Sequence, residues 1–200
     1  MLYIPISPAA LLPLRPIDRF MMDPVANTLA VIVLLAMLAS AIAVLIIFLR
    51  EQPSRLEKLP QWFLPALAVL GLGVAIYLSV VELSHTEAFC GPIGNCNRVQ
   101  QSKYAYLFGL IPIGLIGVAG YLTILTAWLL SLLGPVKVRA YASLAIWILS
   151  WLGMLFSIYL TFLKPFVIGA TCAWCLTSAV VMMLLLWSST GAARIAWRKM

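Results

Sequence analysis

FVIGATCAWCLTSAVVMMLLLW, residues 166–187, is an apolar run without a charge, and Cys172-Ala173-Trp174-Cys175 sits within it. A soluble amphipathic helix carries a polar stripe along one face; this run has none, which places it in lipid. Four more runs share its character: Val25 to Leu49, Trp62 to Leu83, Leu107 to Leu133 and Ala140 to Leu163. Each is long enough to cross a hydrocarbon core of roughly 30 Å at about 1.5 Å per helical residue. Barrel strands alternate in polarity and do not read as continuous runs, so the expected fold is an all-α integral membrane protein with five spans.

Composition agrees. The chain has 200 residues, 64% hydrophobic and 10% charged, with a mean hydropathy of +1.08. That is too little charge to clothe a soluble domain. The net charge of +7 does not indicate nucleic-acid binding, because the basic residues are dispersed among the spans and no binding module fits between them. They report topology instead. With the N-terminus outside, the inner segments hold eight: Arg50, Arg55, Lys58, Lys137, Arg139, Arg194, Arg198 and Lys199. The outer ones hold five: Arg15, Arg19, Arg98, Lys103 and Lys164. The excess predicts an N-out, C-in arrangement. Residues 1–24 read as an irregular tail, Pro-rich at Pro5, Pro8, Pro13 and Pro16, or as an over-long start with Met21 or Met22 as initiator. Residues 25–49 form an extra span, residues 62–187 a four-helix bundle with an outer loop at 84–106, and residues 188–200 a basic cytoplasmic tail.

The chain has four cysteines, in two close pairs: Cys90 with Cys96 and Cys172 with Cys175. Two spans separate the loop of the first pair from the second pair. Two crossings return a chain to the side it left, so both pairs share a membrane face. The charge bias makes that face extracytoplasmic, where disulfides persist. Gly91, Pro92 and Gly94 make a turn that lets Cys90 and Cys96 meet. Cys96, Val99 and Ser102 recur every third residue, as on one face of a short helix. At a helix start, free backbone amides favour a reactive thiolate, which suits Cys172 and Cys175 to reversible two-electron chemistry.

Cys90, Cys96, Val99, Ser102, Phe108-Gly109 leading into a span with Pro112, and Cys172-x-x-Cys175 opening a later span together resemble the vitamin K epoxide reductase family, in its bacterial and archaeal branch. The resemblance covers about Trp62 to Trp187. The DsbB enzymes do similar chemistry with the pairs in the opposite order. Two departures stand out. The family's Phe-Gly-x-Pro is one residue longer here, Phe108-Gly109-Leu110-Ile111-Pro112. The vertebrate Thr-Tyr-Ala reads Thr177-Ser178-Ala179, which shifts the expectation from epoxide reduction to quinone reduction.

The resemblance implies a thiol–disulfide relay in a prokaryotic cell membrane. Cys90 would exchange with a separate thioredoxin-fold (DsbA-like) protein, no fused thioredoxin-like domain being present up to Met200. Cys96 would attack Cys172 in the membrane-side disulfide, and Cys175 would leave as the thiolate facing a ubiquinone- or menaquinone-class acceptor. Ser102 would support the site, and Trp174, Phe108 and Pro112 would lie near the quinone. No metal is expected, since the gap between Cys90 and Cys96 exceeds the usual zinc spacing.

Several residues admit two readings. Gly114, Gly117 and Gly120 suit either helix packing or a flat ligand. Ser102 suits a helix surface or a quinone-side hydrogen bond. His85 suits a solvated loop or a proton carrier. Glu82 suits a snorkelling carboxylate or a proton relay. Most tryptophans read as interfacial anchors, with Trp174 the exception. The competing function is a membrane assembly or binding protein held by structural disulfides. Transport is disfavoured, because no charge lies deep in a run and no internal repeat is visible.

Overall fold

The computed structural model describes residues 15–49, 60, 62–84, 86–90, 94–107 and 109–199. Its elements, in chain order, are α1 (Pro16–Phe20), α2 (Pro24–Leu49), α3 (Phe63–Ser84), α4 (Cys96–Gln100), a 3-10 turn (Lys103–Ala105), β1 (Tyr106–Leu107), β2 (Ile111–Pro112), α5 (Ile113–Leu133), α6 (Val136–Leu163), a π turn (Lys164–Ile168) and α7 (Ala173–Lys199). Among the described residues, five helices are long and apolar enough to cross a membrane: α2, α3, α5, α6 with its π turn, and α7.

Helices α3, α5, α6 and α7 form the bundle, and α2 lies outside it against α6 and α7. The bundle centre is apolar and tight: Leu67, Ala68, Tyr121, Ile124, Ile146, Met182 and Leu185 pack together. In lipid, helices associate by close packing rather than by escape from water, so small residues sit at contacts. At Gly71 of α3 an added Cβ would overlap the Tyr121 ring of α5. Buried hydroxyls bond back to their own helices, as Ser79 Oγ does to the Ala75 carbonyl at 2.7 Å and Ser150 Oγ to the Ile146 carbonyl at 2.8 Å.

Helix α2 is joined through Met37, Val44, Met154, Ala179 and Leu186. Trp147 stacks on Phe48 of α2, with ring centroids 4.3 Å apart. Trp147 and Trp151 therefore pack helices together here, where the sequence reading had made tryptophans interfacial anchors.

Several boundaries differ from the hydropathy reading, among them the start of α6 at Val136 rather than Ala140. The run from Leu107 begins with an antiparallel hairpin, Tyr106 opposite Pro112 and Leu107 opposite Ile111, and its helix starts only at Ile113. Gly109, at φ 72°, turns the hairpin. The run from Phe166 is split. Pro165 has no N–H for the helical ladder, the chain widens into the π turn, and Gly169 at φ 73° closes it with its amide on the Lys164 carbonyl at 2.8 Å. Helix α7 then starts at Ala173 and runs through Lys199, so residues 188–199 continue the helix beyond the expected start of a tail. Within the presumed irregular tail, Pro16–Phe20 is helical, with Pro16 at its first position.

Candidate functional site

The segments 86–90, 94–107 and 109–112 meet the segment 164–172 at one end of the bundle, as the two crossings between them require. Asn95 caps α4 by accepting from the Arg98 amide at 3.0 Å, and its own amide donates to the Thr171 carbonyl at 3.0 Å. These bonds set Cys96, the first residue of α4, beside Cys172, the residue before α7. Helix α4 ends at Gln100. Ser102 lies past it and donates to the Val99 carbonyl at 2.7 Å, so it does not share a helix face with Cys96 and Val99.

Cys90 and Cys96 are joined in a disulfide, with Cα atoms 5.8 Å apart, while Cys172 and Cys175 are free thiols. The sulfurs of Cys90, Cys96 and Cys172 all lie within 4.8 Å of one another. Three sulfurs so close also suit a metal ion, but Cys90 and Cys96 are bonded to each other and offer no thiolate in this state. The cluster is apolar: Val74, Leu78, Val81, Ala88 and Ala170 surround it.

Three side chains hold the segment that carries Cys90. The Ala88 amide donates to Asn97 Oδ1 at 2.6 Å, the Phe89 amide to the Tyr77 hydroxyl at 2.9 Å, and Trp174 Nε1 to the Phe89 carbonyl at 2.9 Å. The Trp174 and Tyr77 rings pack at 4.9 Å.

Below the sulfurs lies a cavity of about 350 Å³ between α3, α5, α6 and α7. Its wall is mostly apolar, with Glu82, Gln100, Tyr121, Lys164, Cys175 and Ser178 among the polar contributors. Volume and lining suit a ring-sized organic ligand. Cys175 lines it and Cys172 does not. The pair is thus divided: Cys172 faces the disulfide, and Cys175 faces the cavity. Trp174 and Pro112, expected near the quinone, are not among the residues lining this cavity: Trp174 clamps the loop, and Pro112 precedes α5. Phe108 and His85 lie outside the described residues.

Buried charge is the other departure from the sequence reading. Glu82, read there as a snorkelling carboxylate or a proton relay, is 5% exposed and accepts from the Gly114 amide at 2.9 Å. Lys164, counted with the outer loops, is 4% exposed and close enough to act electrostatically on both Cys172 and Cys175. Arg194 is also buried. At the helix start, Cys172 is acted on by more than the backbone amides. Its contact with Cys175, and then burial, push that thiol up, against the smaller opposing pull of Lys164.

All three glycines of α5 border the cavity. An added Cβ at Gly114 would meet Ser79 and Glu82, and one at Gly117 would meet Ala75, whereas Gly120 has open space. Packing explains the first two, and the third leaves room in the cavity. Tyr121 escaped the sequence reading. Its ring is fully buried, and its hydroxyl lies 3.0 Å from Ser178 Oγ, the residue standing where the vertebrate motif has tyrosine. A tyrosine among many apolar residues of a span gave no signal beyond hydrophobicity.

A disulfide, a facing thiol and a second thiol on an apolar cavity, all at one end of a lipid-spanning bundle, define a membrane disulfide oxidoreductase. The family model described as Vitamin K epoxide reductase family matches residues 62–190, and the chain belongs to that family. The match covers the bundle and both cysteine pairs and leaves out α1 and α2. No curated protein and no solved structure matches the chain significantly.

Proposed function

We propose that the protein oxidises the dithiol of a thioredoxin-fold partner on the extracytoplasmic side of a prokaryotic cell membrane and delivers the electrons to a membrane quinone. The observation that carries this reading is the division of the second pair, Cys172 toward the Cys90–Cys96 disulfide and Cys175 on the cavity wall. A static disulfide pair has no use for such a division.

The relay balances as a series of exchanges. A partner thiolate attacks Cys90, forming a mixed disulfide and releasing the Cys96 thiolate. Cys96 attacks Cys172 of the oxidised Cys172–Cys175 pair, so the Cys96–Cys172 bond forms and Cys175 leaves. The partner's second thiolate closes on its first, freeing Cys90 and completing the partner's disulfide. Cys90 then attacks Cys96, re-forming Cys90–Cys96 and releasing Cys172. The outcome is an oxidised loop pair above two reduced thiols, the state seen here. Two electrons and two protons then pass from Cys172 and Cys175 to the quinone. This gives quinol and the Cys172–Cys175 disulfide.

Lys164 and Glu82 on the cavity wall support ring chemistry there: a cation stabilises charge developing on a quinone oxygen, and a carboxyl group moves protons. The supporting residue Ser102 acts by bracing the segment after α4. The acceptor is of the ubiquinone or menaquinone class, and no metal takes part. The chain runs N-out and C-in.

Anaerobic mixing of the reduced protein in lipid nanodiscs with ubiquinone or menaquinone analogues tests the proposal. Stoichiometric quinol formation, abolished in Cys175→Ala, is expected. Full activity of Cys175→Ala would sink it.

A further inference from the structure

We propose that α1 and α2, which lie outside the family match, hold the two redox pairs in register, with Asn27 of α2 as the positioning residue. The inference rests on the relay reading above and adds the device that sets the distance between its pairs.

Asn27 is fully buried in the first turn of α2. Its Nδ2 donates to the Phe20 carbonyl at 2.9 Å, and its Oδ1 accepts from the Thr171 hydroxyl at 2.9 Å. Thr171, also buried, in turn accepts from the Asn95 amide on its carbonyl at 3.0 Å. Thr171 immediately precedes Cys172, and Asn95 immediately precedes Cys96. One chain of hydrogen bonds therefore runs from the N-terminal helices to the backbone neighbours of the two cysteines that must exchange.

The surroundings reinforce this chain. Arg19 Nη1 donates to the Val167 carbonyl at 2.6 Å. At Gly169, an added Cβ would come within 2.8 Å of the Arg19 carbonyl, so α1 seats directly on the turn before Cys172. Gly94, at φ 93°, lies against the Thr171 carbonyl, with Ala26 of α2 alongside. Residues 169–172 sit between the π turn and α7 and make no regular helical ladder of their own. The Gly169 and Ala170 amides bond back to the Lys164 carbonyl, and the contacts above hold Thr171 from outside. Exchange between sulfurs is steeply sensitive to alignment, so a loosened clamp lowers the effective concentration of Cys172 at Cys96.

The test uses the full chain in nanodiscs, in a Cys90→Ala/Cys175→Ala background that leaves Cys96 and Cys172. Oxidised glutathione converts the two thiols to a disulfide with release of two reduced glutathiones, and the ratio at equilibrium reports their effective concentration. Thr171→Val and Asn27→Ala are each expected to lower it about tenfold, the scale of one lost buried hydrogen bond, with Thr171→Ser restoring it. The double variant should be no worse than either single one. In the otherwise native protein, Thr171→Val should slow partner-driven turnover by the same factor while leaving quinol formation from the pre-reduced protein within about twofold. Unchanged effective concentrations would overturn the inference, as would an equal fall of both activities, which marks general loosening. If the unmutated protein forms no quinol, the relay reading fails, yet the glutathione measurement still decides the register.

Discussion

The Gly114 amide donates to Oε2 of Glu82 at 2.9 Å, so a carboxyl group in the last turn of α3 caps the first turn of α5 at the cavity wall. A helix start leaves amides without internal partners, and here lipid and protein offer no water in exchange. Glu82→Leu strands that amide and is expected to cost about 1–3 kcal/mol in thermal unfolding, whereas Glu82→Gln keeps an acceptor and costs under about 1 kcal/mol. Tryptophan fluorescence melts in detergent measure the difference; equal losses would remove the cap as the reason for burial.

Two glycines on α3 separate packing from propensity. At Gly71 a methyl group overlaps the Tyr121 ring, while at Gly73 nothing lies within 4 Å. Gly71→Ala is expected to destabilise by about 1–3 kcal/mol as overpacking. Gly73→Ala should be neutral or stabilising by up to about 1 kcal/mol, since alanine favours helix. The same melts read both variants, and a similar loss at the two positions would contradict the packing assigned to Gly71.

Trp174 ties the Cys90 segment to α7 through its indole N–H on the Phe89 carbonyl. Trp174→Phe keeps the ring and loses the bond. Partner dithiol oxidation should slow by about three- to tenfold, the scale of one such hydrogen bond, with quinol formation from the pre-reduced protein preserved. Loss of quinol formation instead would return Trp174 to the quinone side.

Lys164 is buried on the cavity wall beside both thiols. Lys164→Met should slow single-turnover quinol formation by about tenfold or more, with Lys164→Arg retaining a larger share, as expected of a cation placed where negative charge develops. Stopped-flow quinone absorbance measures it. Equal rates for the lysine and methionine proteins would leave Lys164 a structural group.

Much of the fold was legible because hydropathy is a local property. Five apolar runs appear as five spans, and the inner boundaries failed only where a backbone feature outweighed composition. The π turn that Pro165 opens and Gly169 closes took the first residues of a run that reads as continuous, and Gly109 folded the start of another into a hairpin. The buried charges were not legible. Glu82 and Lys164 stand near the ends of their runs, where sequence cannot distinguish a side chain reaching for water from one turned into a cavity. Tyr121 and Asn27 carried no local signal at all.

By itself the sequence determined that the chain spans lipid and that both cysteine pairs share one face. It also placed Cys172 and Cys175 at a helix start. These follow from hydrophobicity, chain order and the parity of crossings, all of which are properties along one dimension. Tertiary structure alone decided that Cys172 faces the disulfide and Cys175 the cavity, and that α2 reaches the site through Asn27 and Thr171, 144 positions apart. Such contacts depend on how helices rotate and seat against one another. Packing sets that rotation, and no pattern within a single run encodes it.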